Sequence, residues 1–166
     1  MLALNKITPC LWFDGRGEEA AQFYTSIFKN SKILHVERYG EAGKEVHGQE
    51  PGSAMTVSFE LDGLSFTALN GGPHFKFTEA VSFQIDCATQ EEVDYYWTKL
   101  GEGGDPAAQQ CGWLKDKFGL SWQVVPRALL QLLADPDKTK SQRTFAAMMQ
   151  MKKLDIATLQ KAHDGG

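Results

Sequence analysis

Cysteine is scarce in this chain, and the few that occur follow no ligand spacing. Cys10, Cys87 and Cys111 are an odd number at irregular intervals, with no CxxC or Cys/His pattern beside them. Neither a disulfide framework nor a zinc site is indicated. No apolar run approaches the roughly 20 residues needed to cross a bilayer. The opening residues, Met1 to Lys6, hold no apolar core of a secretory leader. The expected setting is the reducing cytoplasm, with no membrane partner. Excess positive charge is missing as well, since 17 Lys and Arg stand against 21 Asp and Glu, a net charge of −4. Phosphate neutralisation needs a concentrated basic surface, so nucleic acid is excluded as a partner. The nearest basic cluster, residues 138–143 with Lys152 and Lys153, falls on C-terminal helices and reads as a solvated helix face. No Ser/His/Asp arrangement and no phosphate-cradling glycine loop is present.

What the chain does have is an internal repeat. Gly63-Leu64-Ser65-Phe66 returns as Gly119-Leu120-Ser121-Trp122, each copy leading into an apolar run. Upstream, Glu18-Glu19 precedes Phe23-Tyr24 by the same interval as Glu91-Glu92 precedes Tyr96-Trp97. Two copies of one supersecondary unit are therefore expected within the 166 residues, as a single domain with modules at 5–72 and 78–126 and a helical tail at 127–163.

Residues 7–13 alternate as a strand, with Pro9 marking an edge. After the Asp14-Gly15-Arg16-Gly17 turn, Ala20, Phe23, Tyr24, Ile27 and Phe28 recur at helical spacing. Strands are predicted at 32–39, 54–61 and 64–69, the last two joined by the tight-hairpin pair Asp62-Gly63, with a loop at 40–53. In the second module Val81, Phe83 and Ile85 alternate as a strand. Thr89 and Glu92 form a capping box for a helix that carries Val93, Tyr96, Trp97 and Leu100. Strands are predicted at 108–110, 112–115 and 120–125. Each module thus reads as βαβββ. In the tail, Leu129, Leu130, Leu132 and Leu133 form a short apolar helix. Phe145, Met148, Met149 and Met151 lie on another, and Leu154, Ile156 and Leu159 on a last one. These faces need cover, from the body or from a second subunit.

A βαβββ unit used twice, closed each time by the Gly-Leu-Ser-aromatic strand, resembles the vicinal oxygen chelate (glyoxalase/bleomycin-resistance/dioxygenase) superfamily. Within it, four segments resemble the PhnB-like branch. They are Phe23-Tyr24 with Ile27-Phe28; Ala68-Leu69-Asn70-Gly71-Gly72-Pro73; Cys111-Gly112-Trp113-Leu114-Lys115-Asp116 with Phe118-Gly119-Leu120-Ser121-Trp122-Gln123; and Met151-Lys152-Lys153-Leu154-Asp155-Ile156-Ala157. The resemblance runs from about Asn5 to Leu159 and implies an α+β fold. Its two modules would build a curved mixed-sheet cup, followed by C-terminal helices, in a homodimer.

Enzymes of that superfamily hold a divalent metal through the first and last strands of each unit. On this sequence the resemblance places those positions at Thr8 and Thr67, and at Ser82 and Gln123. Neutral oxygens alone make a poor transition-metal site, so no metal and no cofactor is expected. Some members of the branch are labelled 3-demethylubiquinone 3-methyltransferase. A methyl-donor cofactor is not expected either, because residues 14–18 supply only two glycines and no doubly wound pattern surrounds them. The reading is metal-free binding of a small, partly apolar organic molecule. An enzyme of the superfamily with a rebuilt site is the alternative.

The candidate ligand-binding residues are Thr8, Cys10, Trp12, Thr67, Asn70, Ser82, Gln84, Trp113 and Gln123. Alternation turns Thr8, Cys10 and Trp12, then Ser65 and Thr67, then Ser82, Gln84 and Asp86, then Ser121 and Gln123 away from the helices. Trp12 and Trp113 are the candidate aromatic wall. Asn70 either points its amide into the mouth or caps the strand end through an Asx-type turn.

Overall fold

The computed structural model describes residues 5–166, which form two compact units, one ending at Lys76 and one running from Phe77 to Gly166. The first unit runs β1 (Cys10–Phe13), α1 (Gly17–Ile27), β2 (Lys32–Arg38), α2 (Lys44–His47), β3 (Ala54–Leu61) and β4 (Leu64–Asn70). Its sheet has the order β1-β4-β3-β2, with β1 parallel to β4 and the other pairs antiparallel. Helix α1 buries Gly17, Ala20, Ala21, Tyr24 and Ile27, one stripe at three- and four-residue spacing. That stripe faces Val57, Phe59, Phe66 and Ala68, and Tyr24, Phe59 and Phe66 form a run of stacked rings. The predicted hairpin is present: Asp62 and Gly63 both have positive φ, and Leu61 pairs with Leu64.

The second unit runs β5 (Ser82–Cys87), α3 (Gln90–Gly101), a 3-10 turn (Pro106–Ala108), β6 (Trp113–Lys115) and β7 (Ser121–Pro126), then the tail helices α4 (Arg127–Leu133), α5 (Lys138–Met149) and α6 (Ile156–Asp164). The sheet order is β5-β7-β6, with β5 parallel to β7 and β6 antiparallel to it. Thr89 caps α3 by accepting from the Glu92 N–H, and the Glu92 carboxylate reaches back to the N–H of Ala88.

Three expectations need correction. The strand predicted from residue 7 starts at Cys10, where the paired register with β4 begins, the Pro9 carbonyl just ahead of it accepting from the Thr67 N–H. The strand predicted at 108–110 is a 3-10 turn followed by one isolated bridge, Gln110 to Trp113. Pro106 opens that turn and Asp105 caps it through the Ala107 N–H, which turns the chain before it can extend. The predicted loop at 40–53 holds the short helix α2, entered and left through left-handed Gly43 and Gly48.

The tail packs on its own unit. Leu129, Leu132, Leu154 and Leu159 form a buried cluster with Leu133, Met148 and Met151 against it. Burying each leucine side chain favours docking by about 1.5–3 kcal/mol relative to exposure. The backbone N–H groups of Cys111 and Gly112 donate to the Met151 and Lys152 carbonyls, and Gln90 bridges Leu154 and Ile156. The basic cluster is only partly a solvated face. Lys153 pairs with Asp94, and Arg143 donates to the Ala162 and His163 carbonyls at the end of α6, where a cation meets the helix dipole favourably. His163 is buried between Asp135 and Asp164.

One buried carboxylate holds the second unit's repeat strand in place. Asp116, 2% exposed, accepts from the N–H groups of Phe118 and Leu120 and from the Trp122 indole at 2.8 Å. Asp116→Ala strands these buried donors and is expected to cost about 2–4 kcal/mol, with Asp116→Asn retaining part of it. Denaturant unfolding followed by tryptophan fluorescence measures this, and a loss under about 1 kcal/mol would contradict the assigned role.

The tail also carries an acid sensitivity. Asp94 is held below its ordinary value by hydrogen bonds from Lys153 and then Gln90, Asp135 by the Asp137 N–H and then His163, and Asp155 by Thr158. A carboxyl with a lowered folded pKa stabilises above its unfolded value and loses that contribution as pH falls through the folded value. The amides of α5 and α6 are therefore expected to keep their exchange protection from pH 7 to 5 and to lose it below about pH 4. Hydrogen exchange across that range checks this, and equal protection at pH 7 and pH 2 would refute it.

Candidate functional site

In each unit the helix covers one sheet face and leaves the other to polar side chains. In the first unit the register places Cys10, Thr67, Ser58 and His35 in one row across all four strands. Trp12, Leu69, Thr56 and Glu37 form the next row. Cys10 and Thr67 are direct partners, and His35 bonds Glu37 at 3.1 Å. Cys10 is exposed as a residue, yet partial desolvation of its sulfur raises the thiol pKa, which works against nucleophilic use. Cys87 is buried and pushed up to about 12 by desolvation and by the nearby Glu92 and Asp86.

Thr8 does not join this row. It precedes β1, and its hydroxyl donates to the Asn5 carbonyl at 3.2 Å. The first-strand residue beside Thr67 is Cys10, because the parallel ladder begins there. Trp12 is half-buried. Its indole N–H donates to the Gly72 carbonyl at 2.8 Å, and its ring meets the edge of exposed Phe75. A Cβ at Gly71 would stand 2.2 Å from the Trp12 ring, so the glycine is required by this close approach.

Asn70 is committed to the fold. At 3% exposure, its amide oxygen accepts from the Gly17 N–H at 2.8 Å and its amide nitrogen donates to the Ala54 carbonyl at 3.0 Å. It ties the N-terminus of α1 to β4 and β3. This also accounts for Gly17, where a Cβ would meet the Asn70 oxygen at 2.8 Å. The turn that superficially resembles a cofactor loop is thus occupied by a side chain. The sheet around it has one parallel pair instead of the parallel array that dinucleotide-type sites use. The residues present do not fit a bound S-adenosylmethionine.

The second unit gathers more of the candidates. Register aligns Ser82 with Ser121 and Lys115, and Gln84 with Gln123 and Trp113. The Gln123 amide nitrogen donates to the Ser82 hydroxyl at 2.8 Å, and Gln84 reaches the Gln123 oxygen at 3.4 Å. Ser82, Gln84, Gln123 and Trp113 are therefore neighbours on one face. Asp86, on the same face, is engaged by Arg127 at the start of α4, which lowers its pKa.

The row also holds residues that sequence reasoning left off the candidate set. Ser121 is 1% exposed and its hydroxyl has no hydrogen-bond partner. Leaving such a group unpaired costs about 1–3 kcal/mol. Lys115 stands beside it and pairs with Glu79, which holds that carboxyl below its ordinary value. Setting the hairpin turn at residues 117–119 would have aligned Lys115 with Ser121 from sequence.

A divalent metal is what the resemblance to the vicinal oxygen chelate superfamily implied for this face. Among the described residues no three His, Cys, Asp or Glu side chains converge as a metal site. The inherited positions carry a thiol with a raised pKa, hydroxyls and amides, which do not fit zinc, nickel or iron.

The family model described as 3-demethylubiquinone-9 3-methyltransferase matches residues 5–125. Among solved structures, a putative 3-demethylubiquinone-9 3-methyltransferase, PhnB protein, from Bacillus cereus is 36% identical, with 74% of this chain and 99% of that one covered and a TM-score of 0.63. A protein from Pseudomonas aeruginosa is 20% identical over 74% of this chain and 97% of its own, at a TM-score of 0.56. The fosfomycin resistance protein FosX from Mesorhizobium loti is 12% identical over 81% and 99%, at 0.51, a likeness of fold alone. No curated protein matches the sequence. The matched span ends inside β7, leaving α4 to α6 outside it. With nearly three quarters of its length aligned to a PhnB protein at this identity, the chain belongs to the PhnB-like 3-demethylubiquinone-9 3-methyltransferase family.

Proposed function

We propose that the protein binds a small, partly apolar organic molecule on its polar sheet faces, through neutral hydrogen-bonding groups and without a metal ion. The observation that carries this reading is the Ser82–Gln123–Gln84 chain of hydrogen bonds beside Trp113. Amides and hydroxyls fixed by one another are pre-oriented, so binding them to a ligand forfeits little side-chain entropy. In the first unit Cys10, Trp12 and Thr67 play the corresponding part, with Trp12 fixed by its bond to Gly72. Thr8 and Asn70 drop out of the proposed set, since their polar groups serve the backbone. Methyl transfer is not part of the proposal, because in the glycine turn at residues 14–18 the Gly17 N–H is taken by Asn70.

A ligand screen by thermal shift tests this. A compound that stabilises through the second unit is expected to lose about tenfold in affinity in Gln123→Ala, equivalent to about 1.4 kcal/mol, and one seated in the first unit to do so in Thr67→Ala. Stripping metals with EDTA is expected to leave the shift unchanged. Stabilisation that survives both substitutions, or disappears with EDTA, sinks the reading.

The protein is proposed to work as a cytoplasmic homodimer. Leu130, Phe145 and Met149 of the tail stay exposed on a surface that a second subunit would cover. Light scattering at micromolar concentration is expected to give about twice the 18.4 kDa chain mass, and a value near the single-chain mass refutes it.

A further inference from the structure

The row Ser82–Ser121–Lys115 differs chemically from the row beside it. Gln84 and Gln123 both donate and accept, whereas Ser82, Ser121 and Lys115 together present an excess of donors. The Ser82 oxygen already accepts from Gln123, so its own hydrogen is free to donate elsewhere. The Ser121 hydroxyl is buried and has no partner at all. The Lys115 ammonium is half-withdrawn from solvent, its side chain 27% exposed. The strands stand about 4.8 Å apart, so one oxygen pair placed along the row can reach two adjacent donors at once.

The acceptor now serving that row comes from outside the sheet. Glu79 lies in the segment before β5, and its carboxylate pairs with Lys115 while its side chain remains 62% exposed. A side chain so exposed can leave, and what it supplies to Lys115 is a carboxylate. We propose that Ser82, Ser121 and Lys115 form a carboxylate subsite whose Lys115 ammonium Glu79 holds in the absence of ligand. The ligand is then a small organic acid whose apolar body lies along Gln123 and Trp113, in the adjoining row. This rests on the reading that the polar sheet face is the binding face, and gives that face its substrate class.

Titration of the full-length protein with sodium benzoate and with benzamide, at constant ionic strength and followed by amide NMR shifts, separates the two. Benzoate is expected to move the resonances of Ser121 and Lys115 and to bind at least about tenfold more tightly than benzamide. Lys115→Met and Ser121→Ala are expected to erase that preference. Glu79→Gln is the distinguishing variant. It removes the charge of the internal competitor, so benzoate is expected to bind several-fold more tightly while benzamide is unaffected. It is also the variant that decides should Lys115→Met fail to fold, because Glu79 is exposed.

Equal affinities for the two probes, or a Glu79→Gln variant that leaves benzoate binding unchanged or weaker, overturn the carboxylate subsite. If benzamide still binds and responds to Gln123→Ala, the polar-face reading survives that failure. If neither compound perturbs the face in the wild type or in Glu79→Gln, both fall.

Discussion

In each unit the first strand runs parallel to the last, and that pairing decides which residues meet. A parallel pair cannot be closed by a tight turn, so the chain between the two strands must leave the sheet and return. It leaves through a helix in both units and returns through an antiparallel strand, and the helix covers one face only. The other face keeps what the strand alternation gives it. Cys10 comes to stand beside Thr67, and Gln84 beside Gln123, because the last strand enters after a Gly-Leu-Ser-aromatic tetrad at the same register in both copies. The site chemistry thus follows from a backbone constraint before any ligand is considered.

The two units secure that last strand by different means. In the first, Asp62 and Gly63 form a two-residue hairpin whose positive φ values suit the twist of the strands. In the second, the turn is longer and Asp116 supplies the order, binding two backbone N–H groups and an indole from a buried position. A carboxylate with several donors around it is well compensated for its lost hydration. Its cost in versatility is that Asp116 is unavailable for chemistry. Asn70 is a parallel case in the first unit, a side chain that looks functional in sequence and is consumed in joining α1 to β3 and β4.

Much of this was legible in the sequence. The repeat, the Asp62-Gly63 hairpin, the Thr89 cap and the inward stripe of α1 each rest on short-range physics that leaves a periodic mark. What was not legible depends on partners distant in the chain. Thr8 and Cys10 share a face by alternation, and only the pairing with β4 decides that the strand begins at Cys10. Asn70 was open between a mouth residue and a cap because its partners, Gly17 and Ala54, lie 53 and 16 residues away. The 108–110 segment differs for a nearer reason: the Asp105 cap and Pro106 just ahead of it are local turn signals, and Ala108-Gln109-Gln110 has no alternating apolar pattern to oppose them. Tail docking was undecidable from sequence, since an apolar helix face looks the same whether its cover is cis or trans.

The neutral side chains at these strand positions have a consequence for how the proposed face recognises a ligand. A divalent ion concentrates charge and orients a ligand's oxygens by itself. Without one, orientation has to come from groups held rigid by the protein, which is what the Gln123 amide achieves by bonding Ser82 and Gln84. Hydrogen bonds between neutral groups contribute little net affinity, because water competes for the same donors. Burial changes that balance at Ser121, whose hydroxyl has no partner to surrender. Lys115 supplies a positive charge beside Ser121, and the fold keeps that charge from being left unbalanced by lending it Glu79. An exposed internal carboxylate is a mild competitor: it satisfies the ammonium when the face is empty and yields to a ligand that also satisfies Ser121.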